Sequence, residues 1–73
     1  MLTKSNYQRI SQEVLETRRA IDRVNYPEQR IAGLMATKTL ALNLCVYFKQ
    51  DNPAFDIDRF INACGMQADQ TEN

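Results

Sequence analysis

Residues 52–65, NPAFDIDRFINACG, contain the start, the apolar side and the end of one short helix. The Asn-Pro pair breaks any helix that precedes it, and Asp56 is a residue type that caps a new helix. Phe60 begins the apolar side, four residues after the cap. Gly65 can adopt the left-handed conformation that ends a helix. The stretch therefore predicts a short C-terminal helix over about residues 56–64.

The N-terminal third of the chain carries the apolar stripe of a longer helix, with steps of three and four residues. The members of this stripe are Tyr7, Ile10, Val14, Thr17, Ile21 and Val24. The stripe predicts a helix over about residues 3–24, in which Thr3 is a suitable N-cap. Ser5 with Gln8 offers an alternative start two residues later. Leu15 lies off the stripe and is interpreted either as an isolated surface leucine or as a partner contact.

The middle of the chain predicts a second long helix, over residues 27–50, because proline is tolerated in a first turn. Its main apolar stripe consists of Leu34, Thr37, Ala41, Leu44 and Phe48. Further apolar residues surround most of the circumference, namely Ile31, Met35, Leu40, Leu42, Cys45, Val46 and Tyr47. A helix that is apolar all round is typical of a buried position. The longest apolar run covers only residues 40–48, whereas a membrane span needs about 20 residues, so no membrane span is expected.

Together these patterns predict an all-α fold with two long antiparallel helices and a short C-terminal helix, packed as a small helical bundle. We expect one domain over residues 1–66 and a flexible polar tail over residues 67–73. A core this small supplies roughly 3–5 kcal/mol, so a partner chain would add needed stability.

The second helix has more apolar surface than two neighbouring helices can cover. Either the short third helix wraps tightly over the remainder in a monomer, or a second copy of the chain covers it. The sequence favours a homodimer. The expected interface residues are Leu40, Leu44, Tyr47 and Phe48.

The residue types make an enzyme improbable on chemical grounds. The chain has no histidine and only two cysteines, Cys45 and Cys64, which fit neither a zinc site nor an activated nucleophile. Both cysteines lie within helical apolar patterns and are expected to be reduced and buried in a cytoplasmic protein. We therefore predict no catalytic residue, no cofactor and no metal.

Charge is divided unevenly along a chain whose formal net charge is zero. Residues 1–49 hold eight basic against four acidic residues, and residues 50–73 hold one basic against five acidic residues. The arginines and Tyr26 near the end of the first helix are residue types enriched at interaction hot spots. The aspartates are explained by helix capping and by the helix dipole, but they could also contact a basic partner. The candidate partner-binding residues are Arg18, Arg19, Arg23, Tyr26, Asp56 and Asp58.

The segment quoted first resembles the C-terminal motif of a group of short, uncharacterised phage and prophage proteins. Their pattern is Asn-Pro-x-Phe-Asp, followed by an Arg-Phe pair and then by Ala-Cys-Gly. The matching residues here are Asn52, Pro53, Phe55, Asp56, Arg59, Phe60, Ala63, Cys64 and Gly65. Ala54 stands where the pattern has a longer basic residue. The resemblance implies a small helical protein encoded by a mobile element.

Short phage accessory proteins without catalytic residues usually act by binding a host protein. The leading hypothesis is an inhibitor or modulator of a host system in the host cytoplasm, for example an anti-CRISPR protein. The first alternative is a dimeric nucleic-acid-binding regulator that uses the arginines of the first helix. The second is a self-assembling structural component of a phage.

Overall fold

The computed structural model describes residues 2–66, and the predicted tail lies outside the described residues. Three α-helices form in this part of the chain: α1 (Lys4–Asp22), α2 (Pro27–Asp51) and α3 (Ile57–Ala63). This confirms the predicted all-α fold with two long helices and a short third helix.

The first helix begins where its capping chemistry predicts. Thr3 Oγ1 accepts a hydrogen bond from the backbone N–H of Asn6 at 3.2 Å, and Asn6 Oδ1 accepts one from the backbone N–H of Thr3 at 3.0 Å. This reciprocal pair is a capping box, so Thr3 rather than Ser5 starts α1. The helix ends at Asp22 with Arg23 as its C-cap, two residues before the predicted end.

The two long helices are antiparallel because contacts join their opposite ends. Near the start of α1, the backbone N–H of Leu2 donates to Asp51 Oδ2 at the end of α2, at 3.1 Å. At the other end, Ile21 packs against Gly33, where an added Cβ would lie only 3.0 Å from Ile21 Cγ2. Gly33 therefore permits the close approach of α1 to α2 that offsets its low helix propensity.

The third helix ends in a Schellman motif, as the glycine predicts. Gly65 has a φ of +82°, and its N–H donates to Asn62 O at 3.0 Å. The N–H of Met66 donates to Ile61 O at 3.2 Å, and both of these side chains are buried. Asp56 is the N-cap. The helix is therefore fixed at both ends by local chemistry.

All three helices contribute to one core. Its centre is an aromatic cluster formed by Tyr7, Phe48, Phe55 and Phe60, whose neighbouring ring centroids lie 4.8 to 5.7 Å apart. The other buried apolar residues are Val14, Ala41, Cys45, Ile61, Cys64 and Met66. Such edge-on and tilted aromatic contacts add stability beyond that of the buried area.

The side of α1 that packs inward contains the predicted stripe except for Thr17, and it extends beyond that stripe. Thr17 is exposed, and Ser11 is buried with its hydroxyl donating to Gln8 O at 2.8 Å. Leu15 is half-buried and packs against the end of α3. Its Cδ1 lies so close to Gly65 that a Cβ added to this glycine would be only 2.6 Å away. The reason is that α1 faces both α2 and α3, so its buried side is wider than the predicted stripe and extends to Ser11 and Leu15. Leu15 is therefore an internal contact and not an isolated surface leucine.

Within the described part of one chain, the second helix is buried on one side only. Thr37, Ala41, Cys45 and Phe48 face the core. The opposite side carries large apolar residues that no described part of the chain covers. The short α3 packs beside α1 at the aromatic cluster and leaves this side open.

By length and composition alone, α2 could cross a membrane. An 18-residue window within Pro27–Asp51 has a mean hydropathy of 1.4, and only 22% of that window is buried. The expectation that the chain is too short in apolar residues for a membrane span is therefore wrong on this criterion. The core helix of a soluble protein meets the same criterion, so the finding is weak evidence for a membrane.

Candidate functional site

The most conspicuous surface of the described chain is a row of large apolar side chains along the outside of α2. We define the outer stripe as Ile31, Met35, Leu42 and Val46, which are between 45% and 65% exposed. Their spacing of four, seven and four residues places them on one side of a helix. Isolated exposed apolar residues are normal, but a contiguous row of this length marks an interaction surface.

Two further exposed apolar residues lie on a separate strip of the same helix. Leu40 and Tyr47 are 54% and 60% exposed and lie seven residues apart, on a strip that is about a third of a turn or more around the helix from the outer stripe. Asn43 is exposed between these two strips.

The structure places the four predicted interface residues in different environments. Leu40 and Tyr47 are exposed, and Leu44 is half-buried against the core. Phe48 is 1% exposed at the centre of the aromatic cluster, so it is not available to a second chain. The interface prediction is wrong for Phe48, because its ring packs between α1 and α3.

The outer stripe was missed by the sequence prediction of interface residues. Its spacing is visible in the sequence, but the same is true of every other apolar row on α2. Which row faces inward depends on where α1 and α3 dock, and this is not a local property. The signal that could have found the inner side is the pair of small residues Ala41 and Cys45, which mark where other helices approach closely.

The predicted arginine group is split by the fold. Arg18 is half-buried and faces the end of α3, where its Nε would lie 3.9 Å from a Cβ on Gly65. Arg19 and Arg23 are exposed near the end of α1. Tyr26 is 68% exposed in the turn before α2. We define the turn surface as Arg19, Arg23 and Tyr26.

The two predicted aspartates lie at the other end of α3 from Arg18. Asp56 Oδ1 accepts a hydrogen bond from the backbone N–H of Arg59 at 3.1 Å, which is a capping contact. Asp58 is exposed in the first turn of α3, where its charge is favourable to the helix dipole. The fold does not bring the acidic and basic candidates together, and capping accounts for Asp56.

An open cleft of about 420 Å³ lies between the first half of α1 and the start of α3. Its lining mixes Lys4 and Arg59 with Asp56 and with parts of the aromatic cluster. The hydroxyl of Tyr7 is buried beside this cleft and has no hydrogen-bond partner in the described part of the chain. The charges of the lining are of both signs, so the cleft selects no particular charged ligand.

Both thiols are buried, as predicted, and neither is suited to nucleophilic chemistry. Burial raises the pKa of the Cys45 thiol above its ordinary value. Burial, followed by the nearby Cys45, raises the pKa of Cys64 to about 11, and Arg18 opposes this shift only in part. At neutral pH both thiols are therefore protonated. Within residues 2–66 no three potential metal ligands come together.

Comparison of the chain with family models, with curated proteins and with solved structures gave no match. The exposed surfaces of the described residues, above all the outer stripe of α2, are the features that bear on function.

Proposed function

We propose that this protein acts by stoichiometric binding to other protein chains and not by catalysis. The observation that carries the proposal is the outer stripe of α2, where large apolar side chains are left 45% to 65% exposed along one side of a helix. Burial of such a stripe is favourable by about 25 cal/mol per Å² of apolar area removed from water. A protein that leaves this area open as a single chain is completed by association.

The functional unit in this proposal is a homodimer that binds a host protein. The resemblance of residues 52–65 to short phage proteins supports a host protein as the target. Charged and aromatic residues that remain exposed beside the dimer would make the contact. The turn surface meets this description, because Tyr26 has the largest exposed fraction among the large apolar residues that are exposed. Arg and Tyr are also enriched among the residues that dominate binding energy.

The mechanism is occlusion of a functional site on the target. A small helical surface with the exposed Tyr26 and two exposed arginines can fill a pocket and pair with acidic groups around it. Arg18 is not part of this contact because it is held against α3. The basic surface available for nucleic acid is reduced for the same reason, and Arg9 is already paired with Glu13 at 3.0 Å.

The proposal is tested by capturing a host protein with the purified chain from an extract of a bacterial host. The wild-type chain is expected to retain one host protein in a fixed ratio. Arg23→Ala and Tyr26→Ala should each weaken that binding more than tenfold, as hot-spot truncations do. Arg9→Ala is the matched control, because Arg9 is an exposed arginine of α1 away from the turn, and it should bind as the wild type does. Equal retention by all variants would contradict the role of the turn surface.

The specific instance that we propose is inhibition of a host defence system, for which a CRISPR system is the first to test. Expression of the chain in a host with active CRISPR immunity should restore plaque formation by a targeted phage, and Tyr26→Ala should abolish the effect. Unchanged immunity with the wild-type chain would exclude inhibition of that CRISPR system. The capture experiment would still test binding to another host protein.

A further inference from the structure

The outer stripe of α2 is nearly symmetric about its centre, because residues of matching type lie at equal distances on either side of it. Its centre lies between Lys38 and Thr39, in the middle of the helix. Three pairs of exposed residues lie equally far from this centre: Met35 with Leu42, Ile31 with Val46, and Glu28 with Lys49. Two of the pairs are apolar on both sides, and the outermost pair is acidic at one end and basic at the other.

We infer that the outer stripe binds the α2 helix of a second copy, antiparallel to its own, across a two-fold axis that passes near Lys38 and Thr39. This inference rests on the proposed action through association, and it adds the orientation and the register. In this register Met35 faces Leu42 of the second copy, and Ile31 faces its Val46. A two-fold axis makes each contact occur twice, so one self-complementary stripe is sufficient for the whole interface.

Charge decides between antiparallel and parallel packing. The antiparallel register brings Glu28 of each chain to Lys49 of the other, which gives two pairs of opposite charge. A parallel dimer in register would place Glu28 beside Glu28 and Lys49 beside Lys49, and such like-charge contacts select against an arrangement. Lys49 is held at its end of the stripe because its Nζ donates to Phe55 O at 2.9 Å. An ammonium group has three N–H donors, so this bond leaves others for Glu28.

The spacing of the exposed residues also fits packing against another helix. Met35, Thr39, Leu42 and Val46 are separated by four, three and four residues, which is the seam of a coiled coil. The stretch from residue 28 to residue 49 is about 32 Å long at 1.5 Å per residue. Lys38 lies at the margin of the stripe, where its aliphatic part can cover apolar surface while its ammonium group stays in water.

The register is tested by disulfide formation between single engineered cysteines. In the antiparallel dimer, two copies of residue 35 lie about 10 Å apart along the helix axis, beyond the roughly 7 Å between Cα atoms that a disulfide can bridge. Residues 35 and 42 of different copies face each other. The buried Cys45 and Cys64 are retained, so the wild-type chain is the background control.

Under mild oxidation with oxidised glutathione, Met35→Cys and Leu42→Cys should each remain uncrosslinked alone. An equimolar mixture of the two variants should give the covalent dimer. Thr39→Cys should crosslink with itself, because residue 39 lies beside the axis. Circular dichroism of each variant would establish that the helices are retained.

Two results would overturn the inference. Crosslinking of Met35→Cys alone as strongly as the mixture would show a parallel dimer. No crosslinking in any folded variant would show that something else covers the stripe. Flotation of the wild-type chain with vesicles of phosphatidylcholine, in place of a dimer in solution, would identify that occupant as a membrane.

Failure of the inference can be separated from failure of the proposed function. If no register-specific crosslink forms but the host protein is still captured through Tyr26, the dimer geometry is wrong and the binding function stands. If the crosslinks form as expected but no host protein is captured, the dimer is correct and the proposed host target is wrong.

Discussion

The two sides of α2 have similar composition but opposite surroundings. On the inner side, small residues alternate with Phe48, and α1 and α3 approach closely enough to bury Ala41 and Cys45 almost completely. On the outer side, larger residues such as Met35 and Leu42 stand in the open. Small residues permit the helices of one chain to pack closely, whereas the large exposed residues remain available to a second chain. The docking of α1 and α3, and not hydrophobicity, thus separates the two sides.

The strongest way to break this comparison is to truncate one aromatic residue on each side. Phe48→Ala should cost about 3–5 kcal/mol, because it removes the centre of the aromatic cluster. That loss equals most of what so small a core supplies, so the variant should be largely unfolded in water. Its neighbour Tyr47 is 60% exposed, and Tyr47→Ala should cost less than about 1 kcal/mol. Urea unfolding followed by circular dichroism measures both, and similar losses would contradict the division of α2 into two sides.

The packing of α3 against α1 predicts the next largest effect. Gly65→Ala should lower the free energy of unfolding by about 2 kcal/mol, because it puts an L-residue at a left-handed φ and its Cβ against Leu15. Gly33→Ala is the comparison variant. Its contact with Ile21 is tight, but its gain in helix propensity of about 1 kcal/mol offsets part of the strain. A larger loss for Gly33→Ala than for Gly65→Ala would contradict this account of the two glycines.

A smaller effect of opposite sign is expected inside the aromatic cluster. Tyr7→Phe should raise the free energy of unfolding by about 1 kcal/mol, because it removes a buried hydroxyl that has no hydrogen-bond partner in the described part of the chain. The ring contacts to Phe48 and Phe55 at 5.0 and 4.8 Å would remain. The midpoint of urea unfolding would show the gain, and a loss of stability would mean that the hydroxyl is hydrogen-bonded in solution.

The buried thiols should affect stability only at alkaline pH. Because burial raises the pKa of Cys64 to about 11, the unfolded chain loses its thiol proton at a lower pH than the folded chain. The contribution of Cys64 is therefore fully present below its ordinary pKa of 9.0 and is lost as the pH rises from there toward 11. Unfolding midpoints between about pH 8 and about pH 11 should fall more for the wild type than for Cys64→Ala. An equal fall in both would show that other groups cause it.

Local chemistry explains which parts of this fold could be predicted from the sequence. Thr3, Asp56 and Gly65 act through hydrogen bonds and backbone conformation within a few residues of themselves, and the structure confirms each of them. The inward side of each long helix depends on how three helices share one core, which no local pattern contains. Thr17 and Leu15 were misassigned for that reason.

The candidate site was likewise predictable from the sequence only in part. Residue type and spacing correctly indicated that α2 carries more apolar surface than the chain can bury, and Tyr26 is exposed at the turn. The sequence could not assign the rows of α2, because Phe48 and Leu42 are equivalent by hydrophobicity and differ only in what packs beside them. The position of α3 decides between them.

The central claim is that the outer stripe of α2 is an interface, and absolute mass in solution tests it most directly. Light scattering on a size-exclusion column, at two protein concentrations, would compare the wild type with Leu42→Lys. Gln12→Lys, on the exposed side of α1, is the control for the added charge.

The account predicts twice the 8.4 kDa chain mass for the wild type and for Gln12→Lys. It predicts a single chain mass for Leu42→Lys, with unchanged helical circular dichroism. A wild-type mass of 8.4 kDa at both concentrations, or a dimer that survives Leu42→Lys, would contradict it.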